Sequence, residues 1–324
     1  MRVFLPRVPS EDFLRILREQ TDSRVEIVPG PDLPEVADYE WLVEGVPTSE
    51  QLDASPRLRG VIVPWAGIPP RTAELLRSRP EFVLHNLHHN AAPSAELAMA
   101  LLLAAARRIV PVDRALRSGD WTPGRVTEGD WLLEGRTAVI LGYGAIGRRI
   151  ARMCRAFGMS VIGVRRQDVG GDDEFASEIV GVARLASVLP RAQVLFVTLP
   201  LTPETEGLLG AEEISLLPAR ALLVNVGRGP ILEESPLYEA LRSGRIGAAG
   251  LDVWYRYPRG ENDPRNTLPA ECPFHELENV VLSPHRAGST CETEQLRAEA
   301  LAELLSAAVC GEAVPGAVDL SRGY

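Results

Sequence analysis

The 324-residue chain contains no lysine, so all 34 of its basic residues are arginine. A Schiff-base lysine, a pyridoxal anchor and the lysine of a phosphate-binding loop are thereby excluded. Cysteine is scarce. Cys154, Cys272, Cys291 and Cys310 are dispersed and form no C-x-x-C pair, which argues against a zinc site or a disulfide framework and fits a reducing compartment. Long apolar runs are also missing: "LAMALLLAAA" at 97–106 is too short to cross a bilayer, and the N-terminus lacks the apolar core of a signal peptide. A cytoplasmic protein is expected. The 34 basic against 44 acidic residues leave a net charge of −10, which offers no general attraction to nucleic-acid backbones or anionic lipid.

What remains is the composition of a folded globular protein, with 45 % apolar and 24 % charged residues and its glycines and prolines spread along the chain. The length suits two domains on a soft scale of roughly 100–200 residues each. Short apolar runs alternate with helical patterns over the first ninety residues: "RVFL", a helix behind Ser10, "VEIV", "LRGVIVP", "TAELLRSR" and "FVLHN". Such alternation predicts parallel β-α-β units. A single long apolar helix is expected from Pro93 to about Gly119, crossing into a second series built on "TAVIL", "SVIGV", "VLFVTLP", "ALLVNVG", "GAAGL" and "VVLSP". After it, "CETEQLRAEALAELLSAAV" reads as a helix able to return to the first block.

The second series opens on Gly142, Gly144 and Gly147, spaced G-x-G-x-x-G between an apolar strand pattern and a helix pattern. In that context the first glycine makes a tight turn, the second admits a pyrophosphate to the helix N-terminus, and the third lets helix and strand approach. A dinucleotide site is expected. At the end of the next strand, where an NAD enzyme usually carries an acid for the ribose 2′-hydroxyl, stand Arg165 and Arg166. Guanidinium groups cannot accept that hydrogen bond but bind a 2′-phosphate as charged forks, which favours NADP over NAD. The other reading makes both arginines solvated charges and gives the ribose to Asp168.

Three polar residues follow later strands of the same series: Arg228, Asp252 and His285. Because ligands bind beyond the carboxyl ends of strands in open α/β sheets, the three fall on the ligand edge of one sheet. An arginine can hold a carboxylate and polarise its neighbouring carbonyl, and a histidine can carry the proton that accompanies hydride transfer. Taken singly, each also fits a surface, capping or turn role.

"LGYGAIGRRIA", "TLPLTPETEGLLG", "ALLVNVGRGPILEESPLYEALRSGRIGAAGLDVW" and "NVVLSPHRAGST" resemble the D-isomer-specific 2-hydroxyacid dehydrogenase family in order and spacing. The resemblance implies an α/β protein of two doubly wound, Rossmann-like parallel-sheet domains with a cleft between them, usually homodimeric. Residues 1–98 and 288–324 would form a discontinuous, flavodoxin-like substrate domain, and 99–287 the dinucleotide domain. Hydride would pass between the nicotinamide of NADP, or of NAD, and a small anionic 2-oxo or 2-hydroxy acid such as glyoxylate or hydroxypyruvate. By the same resemblance Arg228 binds the substrate carboxylate and carbonyl, and His285 is the acid/base. Cofactor contacts are implied for Gly142, Gly144, Ala145, Ile146 and Gly147, for Arg165 and Arg166, for Leu199, Pro200 and Thr205, and for Val226 and Asp252. Formate- or phosphite-type dehydrogenases, and non-catalytic dinucleotide-sensing proteins, are alternatives within the same likeness.

In the first block "VPWAGIPP" stands where the family holds a substrate carboxylate on backbone N–H groups, which nominates Ala66 and Gly67, with Trp65 either shaping the pocket or simply buried. Asn90 matches a cleft-facing asparagine. His85, His88 and His89 have a spacing that would ligate metal on a helix, but "EFVL" before them reads as strand, so no metal is expected. One departure is sharp. Where most members place a glutamate beside the catalytic histidine, this chain has Tyr257, with Glu261 and Glu276 the nearest substitute acids in sequence.

Overall fold

The computed structural model describes all residues except 8, 126–128, 168–169, 259–264 and 321–324. The chain divides into two units, Met1–Asn90 with Ser289–Tyr324, and Ala91–Gly288. In the first, β1 (Arg2–Leu5), β2 (Glu26–Pro29), β3 (Trp41–Val43), β4 (Gly60–Val63) and β5 (Val83–Asn86) form a sheet in the order β2-β1-β3-β4-β5. All its pairings are parallel. Successive side chains of β1 serve opposite faces, as a pleated strand requires. Val3 and Leu5 pack with Phe13 and Leu17 of the helix Glu11–Gln20 and with Leu301 and Leu305 of the helix Thr293–Cys310, while Phe4 joins Leu42, Val61 and Leu76 on the other face. The first of these helices begins at Ser10, whose hydroxyl accepts from Phe13 N, and has Glu11 and Asp12 in its first turn. The C-terminal helix does return to the first unit.

The second unit carries seven parallel strands: β6 (Thr137–Leu141), β7 (Ser160–Arg165), β8 (Glu178–Gly181), β9 (Val194–Val197), β10 (Ala221–Asn225), β11 (Ile246–Leu251) and β12 (Val280–Leu282). Their order is β12-β11-β10-β9-β6-β7-β8, so the direction of winding reverses between β6 and β9. One face is covered by the helices Ala91–Ala106 and Ala145–Ala156, through Ala98, Leu102, Ile150 and Cys154. Burial pushes the Cys154 thiol up to about 12, so it serves as an inert apolar side chain.

Two strands and one helix break depart from expectation. β3 and β8 are not among the expected strands; β3 is flanked by Glu40 and Glu44, and β8 begins at Glu178 after the acidic run 172–174, so neither stands out as an apolar run. The single helix expected from Pro93 to Gly119 is two, Ala91–Ala106 and Ile109–Arg117, separated where Arg108 takes a left-handed φ of 49°. Pro111 explains the break, because a proline has no N–H for the carbonyl four residues back, here Arg107, and its ring collides with it.

The helix Ala91–Ala106 lies so close to β11 that a Cβ on Gly250 would stand 2.6 Å from Leu101 Cβ. Gly250→Ala should therefore overpack this seam and cost about 1–3 kcal/mol, read by thermal unfolding as a midpoint lower by several degrees. An unchanged midpoint would show that helix and strand separate freely.

Candidate active site

The reversal between β6 and β9 opens a crevice beyond their carboxyl ends, where a doubly wound sheet binds its ligand. The glycine turn leaves β6 at this point. Gly142 has a φ of 104°, and a Cβ on it would lie 2.7 Å from Thr198 Oγ1 of the loop after β9. A Cβ on Gly147 would stand 2.4 Å from Gly142 O, whereas one on Gly144 meets nothing within 4 Å. The first and third glycines are thus required by packing, and the second faces open space at the start of the helix Ala145–Ala156. No side chain caps that N-terminus, so its N–H groups are available to an anion. The turn fits a dinucleotide pyrophosphate.

The flanking loop follows the same logic. Thr205 Oγ1 donates to Pro200 O at 2.7 Å and accepts from Thr202 N at 2.8 Å, while a Cβ on Gly227 would strike Leu199 O. Val226 N donates to Val197 O, so the loops after β9 and β10 are tied together.

Arg165 and Arg166 close β7 beside the glycine turn. Tyr143, between the first two glycines, is buried, and its hydroxyl donates to Asp173 Oδ1 at 2.8 Å. Arg165 Nε donates to Tyr143 O at 3.2 Å, and its guanidinium sits over the Tyr143 ring, 5.4 Å from the centroid. Arg166 makes a close ion pair with Glu204 of the loop after β9. Asp168 lies outside the described residues.

The catalytic candidates leave neighbouring strands. β11 and β12 pair in register, Leu251 with Leu282, which sets Asp252 beside Ser283. Asp252 is fully buried. Its carboxylate accepts from Ser283 Oγ, from Arg286 N at 2.9 Å and from Ala287 N at 2.8 Å. Both oxygens are therefore engaged in the turn that carries His285, which has a left-handed φ of 54°. Such a backbone costs about 1–3 kcal/mol unless its surroundings impose it, and the three bonds to Asp252 impose it here.

Arg228 is half-buried, with Nη1 donating to Gly227 O at 2.7 Å. Asn225 shapes its loop from both sides, accepting from Gly227 N and donating to Arg228 O. Among the described residues no carboxylate pairs with Arg228. Its charge acts on both His285 and Tyr257. The pKa of His285 lies below the ordinary histidine value, first because its surroundings withhold water, then because of Arg228, with Asp252 opposing.

Tyr257 does face the histidine, but with its ring: the centroids are 5.4 Å apart at 53°. Its hydroxyl accepts from Trp254 N at 3.1 Å. Glu276 stands beside His275 at 3.9 Å and not beside His285; Glu261 is outside the described residues. Sequence reading passed over Trp254, which ties the site together. Buried, it receives the Tyr257 contact, donates Nε1–H to Ser283 O at 2.8 Å, and offers its carbonyl so near Gly229 that a Cβ there would lie 2.3 Å away. A tryptophan directly after "LDV" was the available signal.

In the first unit Trp65, Ala66 and Gly67 follow β4. The Trp65 ring lies across Gly45, where a Cβ would be 2.0 Å from Cη2, so the glycine at 45 fixes how the indole sits. Asn86, buried at the end of β5, donates to Ala66 O. Asn90 is partly buried. His85 belongs to β5 and its Nδ1 lies 2.9 Å from Pro315 O. Desolvation lowers the pKa of His88 and takes that of His89 to about 4. Among the described residues no three His, Cys, Asp or Glu side chains gather as metal ligands.

Comparison with known proteins places this geometry. A sequence profile of the D-isomer specific 2-hydroxyacid dehydrogenase NAD binding domain matches residues 99–287. A glyoxylate reductase of Korarchaeum cryptofilum is 34 % identical over 278 residues, covering 84 % of this chain and 79 % of its own. Glyoxylate/hydroxypyruvate reductase B of Pectobacterium carotovorum is 32 % identical over 310 residues, 93 % of this chain and 92 % of its own. Among solved structures, a D-isomer specific 2-hydroxyacid dehydrogenase from Xanthobacter autotrophicus in complex with NADPH and MES superposes with a TM-score of 0.79 at 26 % identity, covering 100 % and 99 % of the two chains. An NADPH-dependent glyoxylate/hydroxypyruvate reductase from Sinorhizobium meliloti in complex with NADP and malonate gives 0.71 at 25 %, covering 99 % and 97 %. With a dinucleotide turn at the switch point of a seven-stranded sheet and a family profile over more than half its length, the chain belongs to the D-isomer specific 2-hydroxyacid dehydrogenases, NAD(P)-dependent oxidoreductases.

Proposed function

We propose that the protein is a cytoplasmic, homodimeric reductase that prefers NADPH and acts on a small 2-oxo acid of the glyoxylate or hydroxypyruvate type. The observation that carries the reading is Arg228, a half-buried guanidinium with no carboxylate partner among the described residues, whose charge acts on His285. A cation left unneutralised at the ligand edge suits an anionic substrate. In this reading Arg228 holds the carboxylate and polarises the 2-carbonyl, and the bound nicotinamide supplies the hydride. His285 donates a proton to the carbonyl oxygen, with Tyr257 against its ring. Asp252 holds the His285 turn, and Trp65, Ala66, Gly67 and Asn90 are assigned substrate contacts by the resemblance. Residues 1–98 with 288–324 would be the substrate domain and 99–287 the cofactor domain.

The names of the archaeal and bacterial relatives support the substrate class, and Arg165 and Arg166 support NADPH. Support for a dimer comes from the helix Ile109–Arg117, which buries no residue and exposes Ile109, Val110 and Leu116, with Trp121 and Leu132 exposed as well. Support for the cytoplasm is the scattered free cysteines, and no described helix is long and apolar enough to cross a membrane.

Reduction of 2-oxo acids followed at 340 nm with NADPH and NADH tests the proposal directly. Tight cofactor binding without turnover of any 2-oxo acid would instead indicate a dinucleotide sensor. One charge-assisted contact is worth about 1.5–3 kcal/mol, so Arg165→Asp should lower the NADPH-to-NADH ratio of kcat/KM by about tenfold or more. A wild-type enzyme that already prefers NADH would refute the cofactor preference.

Arg228→Ala should lower kcat/KM for the acid by several orders of magnitude, since carboxylate binding and carbonyl polarisation vanish together, while cofactor affinity hardly changes. Loss of NADPH binding in a folded variant would move Arg228 out of the substrate's reach.

The pH profile follows from the lowered pKa of His285. Reduction needs the protonated ring, so kcat/KM should decline as pH rises through a value below the ordinary histidine pKa of about 6.5. Tyr257→Glu, which restores a carboxylate beside the ring, should shift that decline to higher pH. A wild-type profile flat past pH 8, with chemistry rate-limiting, would point to a substitute acid.

A further inference from the structure

Three arginines surround the glycine turn, and their charges are not equally available. Arg148 and Arg165 both stand over the Tyr143 ring, at 5.9 and 5.4 Å from its centroid. Arg148 pairs with Asp173 Oδ2 at 3.0 Å, and that carboxylate is further held by Tyr143 Oη and by Phe175 N and Ala176 N at 2.9 Å. Arg148 is thus committed to a fixed structural carboxylate. Arg165 has no carboxylate partner among the described residues and is positioned by the Tyr143 carbonyl and ring. Arg166 is paired with Glu204, whose side chain is 64 % exposed against 29 % for the arginine.

Glu204 belongs to the loop after β9, on the far side of the crevice from β7, and no other described group holds its carboxylate. It can leave Arg166 for water at little cost, whereas Asp173 cannot leave Arg148 without abandoning three other bonds. We propose that Glu204 is a specificity-determining residue: it competes with the 2′-phosphate for Arg166 and so moderates the preference for NADPH over NADH. The inference rests on the NADP reading above. A 2′-phosphate carries about −1.5 to −2 charges at pH 7, if its second pKa near 6 resembles that of other phosphomonoesters, so it displaces the single negative charge of Glu204 but feels it while doing so. An unphosphorylated ribose leaves the pair intact and is indifferent to it.

Equilibrium binding to the full chain decides the matter, with 2′,5′-ADP and 5′-AMP as probes in isothermal titration calorimetry. Glu204→Gln should tighten 2′,5′-ADP about three- to tenfold, the worth of a released surface pair plus the removed repulsion, and change 5′-AMP less than about twofold. In an Arg166→Ala background the same substitution should lose most of that gain, because the two residues act as a coupled pair. Weaker 2′,5′-ADP binding in Glu204→Gln would overturn the inference, making Glu204 the residue that orients Arg166. A gain that persists undiminished without Arg166 would also overturn it, as an effect of charge at a distance. A wild-type protein that binds 2′,5′-ADP no tighter than 5′-AMP would fail the NADP reading itself, a result separate from either variant.

Discussion

A carboxylate that has lost all contact with water must be surrounded by donors, and the active-site edge of the second unit is organised by one such group. Asp252 is fully buried and accepts from Ser283 Oγ and from the backbone N–H groups of Arg286 and Ala287. Leaving any of these bonds unmade would cost about 1–3 kcal/mol or more for a charged acceptor. The turn between Ser283 and Ala287 is therefore not free to relax, and His285 keeps a left-handed backbone that a histidine would otherwise avoid. The condition lies one level lower, in the register of the parallel sheet. Leu251 pairs with Leu282, and a slip of one residue would turn Asp252 to the opposite face of the sheet.

The same strand direction made much of the site readable. In a parallel sheet every strand delivers its last residue to the same edge, so Arg228, Asp252 and His285 could be grouped from position alone. The glycine turn was equally legible, because each glycine answers a steric demand that any side chain would violate or a ligand would need. What escaped were features set by packing. β3 and β8 take their strand conformation from neighbours in the sheet, since the acidic residues around them hide their short apolar runs. The break at Arg108 follows from Pro111, a single residue set against a long apolar run that continues the helical pattern. That Asp252 would turn both oxygens to the His285 turn could not be read from its position, which fits a ligand contact equally well.

Four arginines within one unit stand in different electrostatic environments. A guanidinium keeps its charge through any burial, so its availability is controlled only by what stands opposite it. Arg148 is matched by a carboxylate with four donors, Arg166 by an exposed one, and Arg165 by a carbonyl and an aromatic face. Arg228 donates to a backbone carbonyl and has no carboxylate partner among the described residues. In a chain of net charge −10, cations spared by the surrounding acids are conspicuous, and these lie where the resemblance expects a phosphate and a carboxylate.

In the proposed reaction the charge of Arg228 would also couple substrate to proton. It lowers the proton affinity of His285, second only to desolvation. On the proposed reading, an anionic substrate held by Arg228 would cancel that influence, so the histidine would take up its proton more readily with the carboxylate in place than with solvent there. By linkage the reverse holds as well, and the protonated ring favours the anion by the same free energy. With Tyr257 standing where the resemblance expects a carboxylate, the proposed substrate would hold the proton on His285 more firmly than solvent does. A neutral phenol there, in place of the glutamate the resemblance expects, would leave His285 with less proton affinity at rest and make its charge depend more strongly on the substrate.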